Sequence, residues 1–418
     1  MAPVTGPGAD TIGVVALLAL LVTAWRHPRP WVEAATSVVA AASVVVVGLI
    51  SWDEALRTLG DLAPVVVFLS AVLVVSEVCA RAGLFEAAAR RIGRWSGGRA
   101  VPLLAGVYLL AALVTITLSL DATVVLLTPV VVAAAARRGL AAGPGAWASL
   151  RMATSASLLL PVSNLTNLLA MPDLSLTFLG FARAMAPVLI AVLVTEWLVL
   201  RWLFRDDLRR APQPVAARPA EPVAWFPAAV VVVMLVGFAA LSPLDVAPGW
   251  ICAVAAALLV AWALRRRLLD VGSTTRAAHP SFALFVLALG VVVAGLADGF
   301  LGDWVAGWVP PEASYAGLLA IAALATVLAN LLTNLSATLL LVPLVAPLGT
   351  EAVLAALLGL NIGSGLTYTG SLANLLWQRG LAGTPDAVGM VEFHRRALLT
   401  TPVVLMVAVT TLHLTRWA

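Results

Sequence analysis

SLDATVVLLTP (residues 119–129) and NLSATLLLVP (residues 334–343) are two copies of one pattern, aligned with one residue of slip, and their reading decides the fold. Each interrupts an apolar stretch, 100–136 and 314–348, that is too long for a single membrane crossing. A second pair follows in the same order: SNLTNLL (163–169) and GSLANLL (370–376). Chance apolar similarity would not repeat the polar positions and their order, so the chain reads as a duplication. Non-helical backbone at membrane depth survives only when it is buried in protein or lines a cavity. Both interrupted stretches are therefore expected to be re-entrant hairpins with polar tips at Ser119–Thr123 and Asn330–Thr338.

The composition agrees. Apolar residues make up 62% of the 418 and charged residues 11%, with a mean hydropathy of +1.03. A soluble domain carries about 25% charged residues, so most of this surface must face lipid. One crossing needs roughly 20 apolar residues. Ten segments qualify: 11–26, 31–50, 63–80, 147–170 and 179–204, then 225–243, 249–267, 281–298, 351–377 and 396–415. The 206–222 segment, rich in Arg and Pro, reads as a cytoplasmic linker between halves 1–205 and 223–418.

Arginine placement sets the orientation. All 25 basic residues are Arg, which we attribute to codon bias. With the N-terminus outside, 22 of the 25 fall in inside loops, and Arg57, Arg183 and Arg416 fall outside. Inside are Arg26 and Arg29, the group from Arg81 to Arg99, then Arg137, Arg138 and Arg151. The groups Arg201–Arg218, Arg265–Arg276 and Arg379–Arg396 complete the set. Both termini are then extracytoplasmic, and an odd five crossings per half turns the second half upside down. The expected fold is an all-α integral membrane protein of two inverted-topology repeats, each with one re-entrant hairpin and one discontinuous helix, at about 147–170 and 351–377. Secondary transporters are commonly built this way, with the site near the midplane.

Polar residues in hydrocarbon each cost several kcal/mol when unpaired, so these should face one another or a wet site. The first tip offers Ser119, Asp121 and Thr123; Asp121 is the only carboxylate deep in a hairpin. An intramembrane carboxylate points to ion or proton coupling; Asp before a helical run can equally serve as an N-cap. The second tip offers Asn330, Thr333, Asn334, Ser336 and Thr338 without a carboxylate. Such amides and hydroxyls can coordinate a cation or bind an oxyanion; they can also simply join helices. The first break carries Ser163, Asn164, Thr166 and Asn167 after Pro161; the second carries Asn361, Thr369, Gly370, Ser371 and Asn374 among several glycines. Half-helix N-termini at such breaks suit anions or electron-rich oxygens. Glu77 and Arg81, four apart, read as a structural pair. Glu33 and Glu196 read as span-end residues outside the site, and Leu84–Trp95 as an amphipathic helix along the inner surface.

Other functions are excluded. The pI near 9.8 suggests no nucleic-acid partner, because the arginines lie between spans. The four histidines sit at span ends or in loops, and no HExxH, Ser-His-Asp grouping or phosphate loop occurs, which argues against an enzyme and against a resident ATPase. Two cysteines, Cys79 and Cys252, supply neither a disulfide framework nor a thiolate metal site, and no cofactor is expected. Residues Met1–Asp10 lack a basic region of the signal-peptide kind.

These motifs resemble the ion-transporter superfamily that holds ArsB-type arsenite efflux permeases, NhaD-type sodium/proton antiporters and divalent-anion/sodium symporters. The similarity runs over nearly the whole chain and is nearest to the ArsB branch, through Phe68–Phe85, Asp121–Pro129, Ser163–Asn167 and Asn361–Trp377. The resemblance implies an elevator-like secondary transporter of the bacterial inner membrane. It implies arsenite or antimonite efflux in exchange for H+, and leaves open a homodimer and a soluble ATPase partner. The symporters carry a Ser-Asn-Thr signature at both tips, from which SLDAT (119–123) and NLSAT (334–338) depart. That departure lowers the alternatives, a sodium-coupled carrier of dicarboxylate or inorganic anions, relative to arsenite export or Na+/H+ antiport. Two cysteines cannot supply three thiolates, so As(OH)3 would be held by hydroxyls and amides, with Asp121 taking the exchanged proton.

Overall fold

The computed structural model describes residues 7–415 except 27–28, 138, 210–223, 245, 298, 383 and 385. The linker from residue 210 onward, Arg138, Arg210, Arg218 and Arg416 thus lie outside the described residues. Among those described, every regular element is helical. Nine helices among the described residues are long and apolar enough to cross a membrane.

The chain opens with α1 (Pro7–Arg26), α2 (Pro30–Val46), α3 (Trp52–Arg81) and α4 (Leu84–Trp95). Then come α5 (Ala100–Thr117), a π-helical turn (Ala122–Leu127), α6 (Thr128–Ala136), α7 (Gly143–Ser155), α8 (Leu165–Ala170), α9 (Phe178–Leu203) and α10 (Arg205–Arg209). The remainder begins with α11 (Trp225–Leu241), α12 (Pro248–Arg265), α13 (Val271–Ala277), α14 (Pro280–Ala297) and α15 (Phe300–Ala306). It ends with α16 (Tyr315–Leu332), α17 (Asn334–Val345), α18 (Thr350–Asn361), α19 (Leu372–Leu381) and α20 (Met390–Leu414).

Helix boundaries depart from the apolar runs where capping chemistry acts. The third span was expected from residue 63, yet α3 starts at Trp52, because Ser51 and Glu54 form a reciprocal capping box that satisfies orphan N–H groups. Pro64 then lies inside α3. The two interrupted stretches are helix pairs. Their first arms, α5 and α16, are each 18 residues, about 27 Å at 1.5 Å per residue, so each is as long as a full crossing. The second arms are shorter.

Helices α1, α2, α3, α12 and α14 pack on one another, while α5 packs with α7, and α16, α18 and α20 pack with each other, α20 also lying on α9. The amphipathic α4 buries Phe85, Ala87, Ala89 and Gly93 and exposes Arg91 and Arg94. Glu77 and Arg81 pair at 2.6 Å. Arg151, expected in an inside loop, is instead 1% exposed. It lies within α7 because Glu196, 0% exposed, meets it there. A desolvated guanidinium persists only with such a partner.

Candidate functional site

Each tip and break is built by local backbone chemistry. Leu118 (φ −115°, ψ −76°) ends α5, and the Ser119 hydroxyl accepts from Ala122 N at 3.1 Å. The Thr115 and Thr123 hydroxyls meet at 2.7 Å across this tip. The second tip turns on Thr333, whose φ of +73° is unusual for a β-branched residue and stores on the order of 1–3 kcal/mol. Just beyond it, the Thr338 hydroxyl donates to Asn334 O at 2.6 Å.

The two breaks repeat one geometry. In the first, Leu160 (φ −118°, ψ 147°) is extended before Pro161, as steric clash with the proline ring requires. Asn164 (φ −145°, ψ 140°) then caps α8, its Oδ1 accepting from Thr166 N at 3.2 Å. In the second, Thr367 (φ −124°, ψ 163°) is extended and Ser371 (φ −147°, ψ 145°) caps α19, its hydroxyl accepting from Ala373 N at 3.3 Å. Asn167 Nδ2 donates back to Ser157 O (2.7 Å) and Leu160 O (3.2 Å), ten and seven residues earlier. Asn374 Nδ2 donates to Ser364 O (2.9 Å) and Thr367 O (2.8 Å), again ten and seven residues earlier. The recurrence of both separations is the structural counterpart of the paired sequence motifs.

Amides lock the pieces together. Asn361 Oδ1 accepts from Asn164 Nδ2 (2.7 Å) and the Thr166 hydroxyl (2.6 Å), and Asn361 Nδ2 donates to Asn167 Oδ1 (2.7 Å). Asn330 Nδ2 donates to Gly363 O (2.9 Å), and its Oδ1 accepts from Thr367 N (3.0 Å) and the Thr367 hydroxyl (2.7 Å). The Ser163 hydroxyl donates to Ile116 O at 2.8 Å, tying the first break to the first hairpin. Gly370 is required by close approach: a Cβ there would run into Ser364 O and Asn330 Oδ1.

Both tips and both breaks meet at one cavity of about 300 Å³. Ser119 and Asp121, Ser163, Asn164 and Thr166, Thr333 and Asn334, and Thr369 and Ser371 line it. Thr123, Asn167, Asn330, Ser336, Thr338, Asn361, Gly370 and Asn374, expected in the same site, do not line it. They stand behind the lining. Four of them, Asn167, Asn330, Thr338 and Asn374, are spent in holding backbone. Asp121 is half-buried, and nothing among the described residues donates to its carboxylate, so the N-cap role is not the one it fills.

Sequence reasoning missed several wall residues. Glu33, in the first turn of α2, lines the cavity, as do Trp25, Phe68, Phe282 and Phe285. Glu33 stands in a first helical turn, where a carboxylate is commonplace, so its position alone gave no sign. No described Arg, Lys or His lines the cavity, and neither do Cys79 and Cys252, which are fully buried elsewhere. Among the described residues, no group of three His, Cys, Asp or Glu side chains is placed to hold a metal ion.

Residues 17–360 match the family model described as CitMHS, citrate transporter. The chain belongs to the CitMHS family. It is therefore a multi-pass membrane transporter and not an enzyme. Arsenical pump membrane proteins are similar to this CitMHS member: that of Escherichia coli (strain K12) is 28% identical over 365 residues, covering 82% of this chain and 84% of the relative. That of Yersinia enterocolitica is 28% identical over 424 residues, covering 96% and 98%. The fold is similar to the crystal structure of the YdaH transporter of Alcanivorax borkumensis, which is described as having an unusual topology. The TM-score is 0.60 at 17% identity, over 93% of this chain and 98% of that one.

Proposed function

We propose that this CitMHS member exports arsenite and antimonite in exchange for protons across the bacterial inner membrane. The observation that carries the reading is the character of the cavity. Hydroxyls and amides from both tips and both breaks line it together with two carboxylates, Asp121 and Glu33, and no described basic side chain. A citrate or dicarboxylate would meet two carboxylates in a low-dielectric space with no described basic side chain beside them, only the half-helix N-termini at the breaks. As(OH)3, neutral at neutral pH, needs only hydrogen-bonding partners. Cys79 and Cys252 stay out of the wall, which favours hydroxyl and amide recognition over thiolates.

Asp121 takes the exchanged proton in this scheme: deprotonated on the outward, solute-loaded stroke, protonated on the return. The tips and breaks move as one unit against α1, α2, α3, α12 and α14 in an elevator-like stroke, and the halves form an inverted repeat with re-entrant hairpins. Trp25 and Glu33 line the cavity at the end of α1 and the start of α2, the side that arginine placement assigns to the cytoplasm, so this state faces inward. Proton exchange needs no partner, and the scheme is compatible with a homodimer or a soluble ATPase subunit. The family description as citrate transporter keeps a sodium-coupled anion carrier as the second reading.

Expression in an arsenite-sensitive bacterium tests the choice. Protection by the wild type, lost in Asp121→Asn at equal membrane abundance, is expected. Absence of protection, with sodium-dependent uptake of citrate, succinate or sulfate instead, would overturn the arsenite reading.

A further inference from the structure

A buried charge pair lies behind the breaks and outside the cavity wall. Arg151 on α7 is 1% exposed and Glu196 on α9 is 0% exposed. Arg151 Nε and Nη2 donate to Glu196 Oε1 at 2.9 and 2.5 Å, and Nη1 donates to the Thr401 hydroxyl on α20 at 3.1 Å. The Ser155 hydroxyl donates to the same Oε1 at 2.8 Å. Glu196 Oε2 is buried and has no partner among the described residues. A Cβ on Gly365 would lie 2.9 Å from Arg151 Nη1, so the guanidinium rests against the second break. Its own helix runs directly into the first. The side chain thus rests against the second discontinuity while its helix leads into the first, and it is fastened to α9 and α20.

Stability is a poor reason to keep such a pair. Two desolvated charges often do no better than an apolar pair of the same volume, and sometimes worse. Here one carboxylate oxygen goes unmatched as well. What an apolar pair would not supply is direction: a guanidinium presents donors in a rigid plane, here aimed at α9 and α20 while the chain of Gly365 passes alongside. We infer that Arg151 is a positioning residue for the solute site. Held by Glu196 and Thr401, it fixes the register of the two breaks, so that Asn164 and Thr166 face the same cavity as Thr369 and Ser371. This rests on that cavity being where solute binds.

The test compares wild type, Arg151→Lys and the double variant Arg151→Met/Glu196→Leu in everted membrane vesicles, by initial rates of arsenite uptake normalised to membrane abundance. Lys keeps the charge without the fork, and the double variant keeps the volume without the charges. A residue that only supports the fold changes how much transporter is present, hence Vmax, and leaves KM alone. A positioning residue weakens the solute contacts themselves. Both variants are expected to raise KM about tenfold at matched abundance, the double variant melting no lower than wild type in detergent. A wild-type KM in the double variant would overturn the inference. Should the double variant fail to insert, Arg151→Lys decides by the same KM criterion. Should the wild type move no arsenite, the solute reading falls separately. Amide exchange then tests positioning directly: opening of 363–367 in Arg151→Lys without change at 128–136 supports it, and unchanged exchange at 363–367 overturns it.

Discussion

Asn361 Nδ2 donates to Asn167 Oδ1 at 2.7 Å, joining two helix breaks 194 residues apart in the chain. The same Asn361 accepts from Asn164 and Thr166 through Oδ1, so one side chain satisfies three polar groups of the other break. Asn361→Ala would leave the Thr166 hydroxyl and Asn167 Oδ1 buried without partners, each at about 1–3 kcal/mol, and leave Asn164 Nδ2 only Ser157 Oγ at 3.4 Å. We expect the largest loss of thermal stability among single Asn→Ala variants of the two breaks, read as a melting shift in detergent. Asn374→Ala is the informative comparison, because Asn374 Oδ1 already has no partner among the described residues.

Asp121 stands at the cavity wall with no hydrogen-bond donor among the described residues. Asp121→Asn preserves shape and removes the proton-binding group. Membrane abundance should be unchanged, while proton-driven accumulation in everted vesicles falls to the level of empty vesicles. Solute exchange without a gradient should survive in part, since Ser119 and the break residues remain. Equal loss of both activities would assign Asp121 to solute binding rather than coupling.

Much of this was legible from residues 119–129 and 334–343 alone, because polar positions in a membrane segment are too costly to be accidental. The chain turns after α5 at Leu118 and after α16 at Thr333, and helices are interrupted between Ser155 and Leu165 and between Asn361 and Leu372. Arg151 and Glu196 were not legible as a pair. They are 45 residues apart on different helices, and no local spacing links them. Charge near the start of an apolar run reads as a loop anchor. Likewise, the division of seventeen expected site residues into nine that line the cavity and eight behind it depends on side-chain direction within irregular backbone, which periodicity does not encode.

Gly370 and Gly380 make a matched pair for testing the second break. A Cβ at Gly370 would strike Ser364 O and Asn330 Oδ1, whereas at Gly380 it would meet nothing within 4 Å. Backbone carbonyls cannot step aside as a flexible side chain can. Gly370→Ala should therefore cost about 1–3 kcal/mol and impair transport, and Gly380→Ala should behave as wild type. Melting temperatures and uptake rates measured side by side check both.

Asp270 caps α13: its Oδ1 accepts from Ser273 N at 2.7 Å. Hydrogen bonding from Ser273, its amide first, holds the carboxyl below the usual carboxylate range, with a smaller contribution from Arg276. A lowered folded value means the stabilisation is fully present above the ordinary carboxylate pKa of about 4 and is lost as the pH falls through the lowered one. Asp270→Ala should accelerate amide exchange in 271–277 near neutral pH, after correction for intrinsic rates. The gap from wild type should narrow progressively as the pH falls below about 4; a gap that does not narrow on acidification would mean that the carboxylate is not the source.

The native cysteines provide a clean background for testing orientation. Cys79 and Cys252 are both 0% exposed, so a membrane-impermeant maleimide should leave the wild type unlabelled. Arg57, early in α3, and Arg266, at the end of α12, are exposed, and arginine bias assigns them to opposite faces. Arg57→Cys should label in intact spheroplasts, and Arg266→Cys only in everted vesicles. The reverse pattern would turn the molecule over. It would also place the cavity end bearing Trp25 and Glu33 outside, making this state outward-facing. Labelling of both from one side would mean an even number of crossings between them in place of the five expected, and would overturn the assignment of five crossings to each half.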